Sequence, residues 1–346
     1  MKLAEFVLQY DKIIFDMDGV ITSEQNYWTV SALTVYEWLE SKRFLGSGEP
    51  DLAWMYDTAG EIRAKVFCND RIISLIKDIG VNSNWDLVYI TVAMWLCYGS
   101  YEAVCRHLET TDYDVDGLYA RCAELLTQHT GKDLEYTKRN GELWQQMVNC
   151  FQEWYLGDEE YYTYYGKQAG EQLTLRGKKP MRFCEVPLVD IQRLKQLLYL
   201  CNQHGITLGI ATGRPRLEQE TPLQIWEMEQ YFDPKYIATY DEVIMAESAL
   251  HLPEQGRNLG KPNPYVFAKA ALGVKSSDAD IVAGNYTLPG KVLAVGDAGC
   301  DILAAKDAGM DFLAVLTGVG GEKTRPYFER MDADYILDCI TDLLED

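Results

Sequence analysis

Four short strings hold the residues best suited to chemistry. Asp16-Met17-Asp18-Gly19-Val20 runs directly on from the apolar stretch Lys12–Phe15. Two carboxylates at i and i+2 followed by glycine suit a turn that presents both to one pocket. One carboxylate can attack phosphorus as a nucleophile. The other can move protons for a leaving group and an incoming water. A divalent cation would then be needed to offset the charge of a phosphoryl group. Thr212-Gly213-Arg214-Pro215 follows a second apolar stretch, Ile206–Ala211. Its hydroxyl and adjacent backbone N–H groups are suited to phosphate oxygens, and Arg214 either reaches the phosphate or fixes the loop. Gly260-Lys261-Pro262-Asn263-Pro264 opens a helix-like stretch, Tyr265–Leu272. A lysine held between glycine and proline can pair with both a nucleophilic carboxylate and a phosphate. Gly296-Asp297-Ala298-Gly299-Cys300-Asp301 follows Val292–Val295. Acids at i and i+4 there offer the hard oxygen ligands that Mg²⁺ takes.

Each string alone has a plainer reading: a solvated strand-end turn, a strand–turn–helix link, a surface lysine, an acidic first turn favoured by the helix dipole. Together they share one context, the end of a strand or the start of a helix. In an open parallel sheet that context is the carboxyl edge, where ligands bind.

The elements that would place them are legible. From about Leu188 onward short apolar runs alternate with amphipathic stretches. Helix-like Leu188–His204, ended by Gly205, leads into Ile206–Ala211. Val292–Val295 leads into helix-like Asp301–Ala308, ended by Gly309, followed by Phe312–Leu316 and Tyr335–Leu337. Buried strands alternating with helices predict a parallel sheet covered on both faces. Lys12–Phe15 joins this set from far upstream. Residues 25–185 differ in character. They hold seven of the eight tryptophans, with apolar residues at helical spacing in 28–39, 87–108 and 143–156, and Ser83 or Asn84 able to cap the second of these. The expected architecture is an α/β core, residues 1–24 and 186–346, interrupted by a mostly helical insertion, 25–185.

Composition narrows the function classes. Lys and Arg total 32 against 53 Asp and Glu, a net charge of −21, which argues against extended polyanions and anionic lipid as partners. Nine cysteines without CxxC spacing read as reduced thiols. The four histidines (His107, His129, His204, His251) lack metal-ligand spacing and read as structural. The N-terminus has early acids and no small-residue cleavage site, and no apolar run reaches the ~20 residues of a membrane span. The sequence therefore predicts a soluble, cytoplasmic protein that binds neither nucleic acid nor membrane, with its oligomeric state unspecified.

The order nucleophile pair, hydroxyl, lysine, acid pair resembles the haloacid dehalogenase (HAD) superfamily of Mg²⁺-dependent phosphotransferases. The resemblance covers 11–24 and about 188–346, and extends along the whole of Gly296–Met310, GDAGCDILAAKDAGM. It implies a Rossmann-like parallel-sheet core with an inserted helical cap. Asp16 resembles the nucleophile that becomes an aspartyl phosphate. Asp18 resembles the general acid/base, and its backbone carbonyl a metal ligand. Thr212 and Lys261 fall at phosphate-binding positions, Lys261 also neutralising Asp16; Gly213 and Arg214 of the same turn are further phosphate-binding candidates. Asp16 and Asp297 fall at metal positions, and Asp301 at that of a ligand or an orienter of metal-bound water, with Mg²⁺ the implied cofactor. At about 160 residues the insertion looks roughly twice the usual size of such caps.

The resemblance also sorts the reactions. Its dehalogenase and phosphonate-cleaving branches lack an acid at the position of Asp18, so a small phosphorylated metabolite, a phosphate monoester, is the expected substrate and hydrolysis the expected reaction. A sugar-phosphate mutase is the nearest rival, because Asp18–Thr22 resembles the β-phosphoglucomutase branch. That branch carries histidine where this chain has Trp28, and its acidic fourth motif also differs. A non-catalytic phosphometabolite-binding regulatory protein is the rival from another class; the presence of Asp16, Asp18, Thr212, Lys261, Asp297 and Asp301 together argues against it. Specificity is expected from polar residues of the insertion: Arg63, Lys65, Lys77, Asn82 and Asn84, or Arg176, Lys178, Lys179 and Arg182.

Overall fold

The β-branched and aliphatic run Lys12–Phe15 is buried at every position, as a strand covered on both faces must be. In this computed structural model, which describes residues 2–81, 83–166, 175–252 and 257–345, the strands are β1 (Lys2–Leu3), β2 (Lys12–Phe15), β3 (Thr207–Ala211), β4 (Ile237–Ala238), β5 (Val292–Gly296), β6 (Asp311–Val315), β7 (Tyr335–Leu337) and β8 (Leu344–Glu345). Six of them form one sheet in the order β4-β3-β2-β5-β6-β7, with every neighbouring pair parallel. The remaining two, β1 and β8, pair antiparallel. Strand β4, like β1 and β8, is only two residues long, too short to stand out as an apolar run in the sequence.

The chain divides into two compact units, Met1–Glu24 with Glu185–Asp346, and Gln25–Cys184. In the first unit the strands alternate their side chains between two cores. Ile13, Phe15, Leu208, Ile210, Leu293 and Val295 face one, closed by Leu194, Leu197 and Leu198 of the helix Ile191–Gln203. Ile14, Ala294, Phe312 and Ala314 face the other, closed by the helices Tyr265–Leu272 and Gly299–Asp307. This period of two is what the pleat dictates. The register then fixes the site. Phe15 lies level with Ile210 on one side and Val295 on the other, so the residues that follow all three strands emerge together at the carboxyl edge. The segments entering and leaving the second unit run side by side, Ser23 N–H donating to Val186 O at 2.8 Å and Thr22 bridging Pro187.

The second unit is helical. Its central members are Gln25–Glu40, Asn84–Tyr98 and Glu142–Leu156. The long periodic stretch 87–108 is two helices, not one. Gly99 ends the first in the left-handed conformation at φ 73°, and the Ser100 hydroxyl caps the second by accepting from Ala103 N–H. The two bend by 102°, and among the described residues no single helix is long and apolar enough to cross a membrane. Ser83 caps Asn84–Tyr98 through Asp86 N–H.

The basic groups expected to mark specificity are largely committed within this unit. Lys178 is fully buried, 3.1 Å from Glu37 and 2.9 Å from Glu153. Arg182 pairs with Glu160 at 2.8 Å. Arg63 pairs with Asp70 at 2.6 Å and lies over the Trp28 ring, with Lys77 also near that ring and Lys65 near Tyr36. Lys179 donates its backbone N–H to the Tyr56 hydroxyl, Arg176 is exposed, and the Asn84 carbonyl lies 3.4 Å from the Ser31 hydroxyl. Asn82 lies outside the described residues.

Candidate active site

Asp16 follows β2 immediately, and its N–H completes the ladder by donating to Val295 O at 2.8 Å. Its Oδ1 accepts from Met17 N–H at 2.7 Å and lies 2.9 Å from Lys261 Nζ. The lysine reaches a second carboxylate, Asp301 Oδ1, at 2.8 Å. Asp301 Oδ2 accepts from Ala298 N–H at the start of its helix, so this acid is fully buried yet oriented at both oxygens. Burial pushes the Asp16 carboxyl up, opposed by the Lys261 ammonium and reinforced by the charges of Asp301 and Asp18. Burial alone would depress Lys261, but Asp16 and Asp301 overcome it and hold the ammonium above its ordinary value.

Carboxylate oxygens of Asp16, Asp297 and Asp301 lie within 4.8 Å of one another. Three acids this close, offset by a single lysine on Asp16 and Asp301, keep a negative balance that suits a hard divalent cation in donor chemistry and in charge. Two glycines shape the space around Asp297. Gly19 sits at φ +79°, and a Cβ on Gly19 or on Gly318 would overlap the Asp297 carboxylate. Gly19 is further tied by Thr317, whose hydroxyl donates to Gly19 O.

On the other side of Asp16, Thr212 is buried at the end of β3. Its Oγ1 accepts from Arg214 N–H at 3.1 Å, which leaves the hydroxyl proton as a donor. Gly213 is exposed, with open space where a Cβ would stand. Arg214 departs from the phosphate-binding reading. Its guanidinium is turned into the protein and clasps Asp18, Nε donating to Oδ2 at 2.9 Å and Nη2 to Oδ1 at 2.6 Å. The same Nη2 donates to Thr22 Oγ1 and to Glu185 Oε2, each at 3.1 Å. The physical reason is charge: two carboxylates beside one nearly buried guanidinium hold it more firmly than a transient ligand would.

The structure thus gathers Asp16, Asp18, Thr212, Lys261, Asp297 and Asp301 at one sheet edge. It adds Thr22, Glu185, Thr317 and Gly318, which the motif reading omitted. Thr22 lies in the Asp18–Thr22 string, and Thr317-Gly318 follow the apolar run Phe312–Leu316, the same strand-end signal that marked the other motifs. Glu185 has no such signal, because it comes to Arg214 from a loop.

A parallel sheet thus carries paired acids after its central strand and a lysine-bridged acid cluster beside them, at its carboxyl edge. Residues 258–343, which include Lys261, Asp297 and Asp301, match the HAD-hydrolase-like family model. The family match is confined to that segment of the α/β core. No curated protein sequence matches it. Among solved structures it is similar to a Northeast Structural Genomics Consortium target solved by X-ray crystallography, with 28% identity, a TM-score of 0.78 and coverage of 96% of this chain and 97% of that one. It is also similar in fold to a phosphatase from Thermococcus thioreducens, with 16% identity, a TM-score of 0.50 and coverage of 92% and 98%.

Proposed function

We propose that this protein is a Mg²⁺-dependent phosphohydrolase that cleaves a small phosphate monoester through an aspartyl phosphate on Asp16. The observation that carries the reading is the buried Asp16–Lys261–Asp301 arrangement at the end of the central strand, with Asp18 two residues on. Asp16, Asp297 and Asp301, together with the Asp18 carbonyl, are the residues that would hold the cation. When bound, it supplies positive charge against the phosphoryl oxygens.

The chain's own groups account for the rest. Lys261 and the Thr212 hydroxyl bind phosphoryl oxygens, joined by the Gly213 N–H. Asp16 forms a bond to phosphorus as the bond to the leaving oxygen breaks, and Asp18 gives that oxygen its proton. In the second half Asp18 takes a proton from water as the water oxygen attacks phosphorus. Inorganic phosphate leaves and the Asp16 carboxylate is restored. The Gln25–Cys184 unit takes the part of the cap and selects the leaving group.

Hydrolysis of p-nitrophenyl phosphate, with Mg²⁺ and then with EDTA, tests this reading. Turnover is expected to need the metal and no bisphosphate activator, the second condition separating hydrolase from mutase. Activity that survives Asp16→Asn would sink the mechanism. A screen of phosphorylated metabolites then identifies the leaving group.

A further inference from the structure

Arg214 is 3% exposed, and all three of its guanidinium nitrogens are engaged. Besides Asp18, Thr22 and Glu185, Nη1 donates to Glu218 O at 3.3 Å. A guanidinium is planar and rigid, so fixing two of its corners fixes the direction of the fork it offers to a third group. The group that receives this fork is Asp18, bound at both oxygens and still partly exposed, its side chain retaining 24% of its surface. The group behind it is Glu185, whose side chain is completely buried at 3.1 Å. A wholly buried carboxylate is costly unless it is paired with a charge. Here the partner charge is shared between a buried acid and a partly exposed one, so Glu185 sets where Arg214 lies and Arg214 sets where Asp18 points.

We infer that Glu185 is a positioning residue that acts through Arg214 to aim the Asp18 carboxyl at the leaving-group oxygen. This rests on the acid/base role proposed for Asp18. The anchoring spans both linkers of the split core. Thr22, which also donates to Asp18 Oδ1 at 3.0 Å, lies on the outgoing segment, and Glu185 lies on the returning one.

Leaving-group dependence separates aiming from mere bracing. 2,4-Dinitrophenolate departs without a proton, whereas phenolate needs one. The values of kcat/KM for dinitrophenyl phosphate and phenyl phosphate are measured with Mg²⁺, and their ratio does not depend on how much of a variant is folded. Asp18→Asn is the benchmark. It should depress phenyl phosphate on the order of 100-fold or more, the scale of general acid catalysis, and dinitrophenyl phosphate far less. Glu185→Gln should change the ratio in the same direction by about tenfold, and Glu185→Asp, which restores the charge, should recover part of it. If Glu185→Gln yields no protein, Arg214→Lys is read by the same ratio. Equal loss on both substrates, with Asp18→Asn still selective, overturns the inference and leaves Arg214 and Glu185 as a structural brace or a phosphate contact. A benchmark that is itself unselective overturns the acid role of Asp18 and the inference with it.

Discussion

Replacing Lys261 by methionine removes the ammonium that lies between Asp16 and Asp301. The ammonium lies 2.9 Å from one carboxylate and 2.8 Å from the other. At an effective dielectric near 20, each such contact is worth roughly 6 kcal/mol of Coulomb energy. Most of that is offset by taking three charges out of water. What the variant exposes is the penalty of leaving two buried acids without their partner, about 3–5 kcal/mol. Protonation of Asp16 limits the loss, because burial already holds this carboxyl above its ordinary value and losing the lysine raises it further. The sign follows from linkage. An acid whose folded value is raised binds more protons folded than unfolded, so its stabilising contribution is full below the unfolded value and fades as pH rises through the folded one. The deficit of Lys261→Met should therefore be larger at pH 8 than at pH 5. Urea unfolding followed by circular dichroism, in EDTA and at both pH values, measures it. A deficit below about 1 kcal/mol at pH 8, or one that does not change with pH, would refute the view that Lys261 neutralises a buried acid pair.

Mg²⁺ should stabilise the wild-type protein, by about 2.7 kcal/mol at a hundredfold excess over its Kd. Asp297→Asn should abolish most of that gain in a thermal melt, and an undiminished gain in the variant would place the cation elsewhere. Gly318→Ala puts a methyl group into the Asp297 carboxylate. It should weaken Mg²⁺ binding measured by calorimetry while leaving the far-ultraviolet dichroism unchanged. Lys12 is nearly buried, donates to Ala271 O and lies 3.6 Å from the centre of the Tyr236 ring; burial pushes its amino group down to about 8. Because the unfolded lysine binds its proton up to about 10.4, stability should rise with pH between those values. That rise should be smaller in Lys12→Met, and equal slopes for the two proteins would refute it. In the helical unit, Lys178→Met leaves Glu37 and Glu153 buried together and should cost about 3–5 kcal/mol in urea unfolding.

The core strands were legible because burial on both faces demands unbroken apolar runs, and Ile13–Phe15 and Val292–Gly296 carry them, while Tyr335–Leu337, half-buried at the sheet edge, shows the same apolar character. The site was legible for the same reason. Strand ends announce the turns that hold Asp16, Thr212 and Asp297, and a parallel register brings those turns to one edge. The helix break at Gly99-Ser100 was missed because apolar periodicity continues across it, although glycine followed by serine is itself a stop and a start. The basic residues 176–182 looked like a ligand surface because basic groups are scarce in this chain. Folding instead takes Lys178 inside to neutralise Glu37 and Glu153, acids from helices far apart in sequence.

By itself, the sequence determined which residues could do chemistry and at which edge of which sheet, since both follow from local pattern and strand direction. Tertiary structure decided the partners. Lys261 lies between Asp16 and Asp301, Arg214 faces Asp18 and Glu185, and Gly318 closes on Asp297. Each of these pairings joins segments distant along the chain, and the strength of a buried ion pair depends on separation and surroundings that no local spacing encodes.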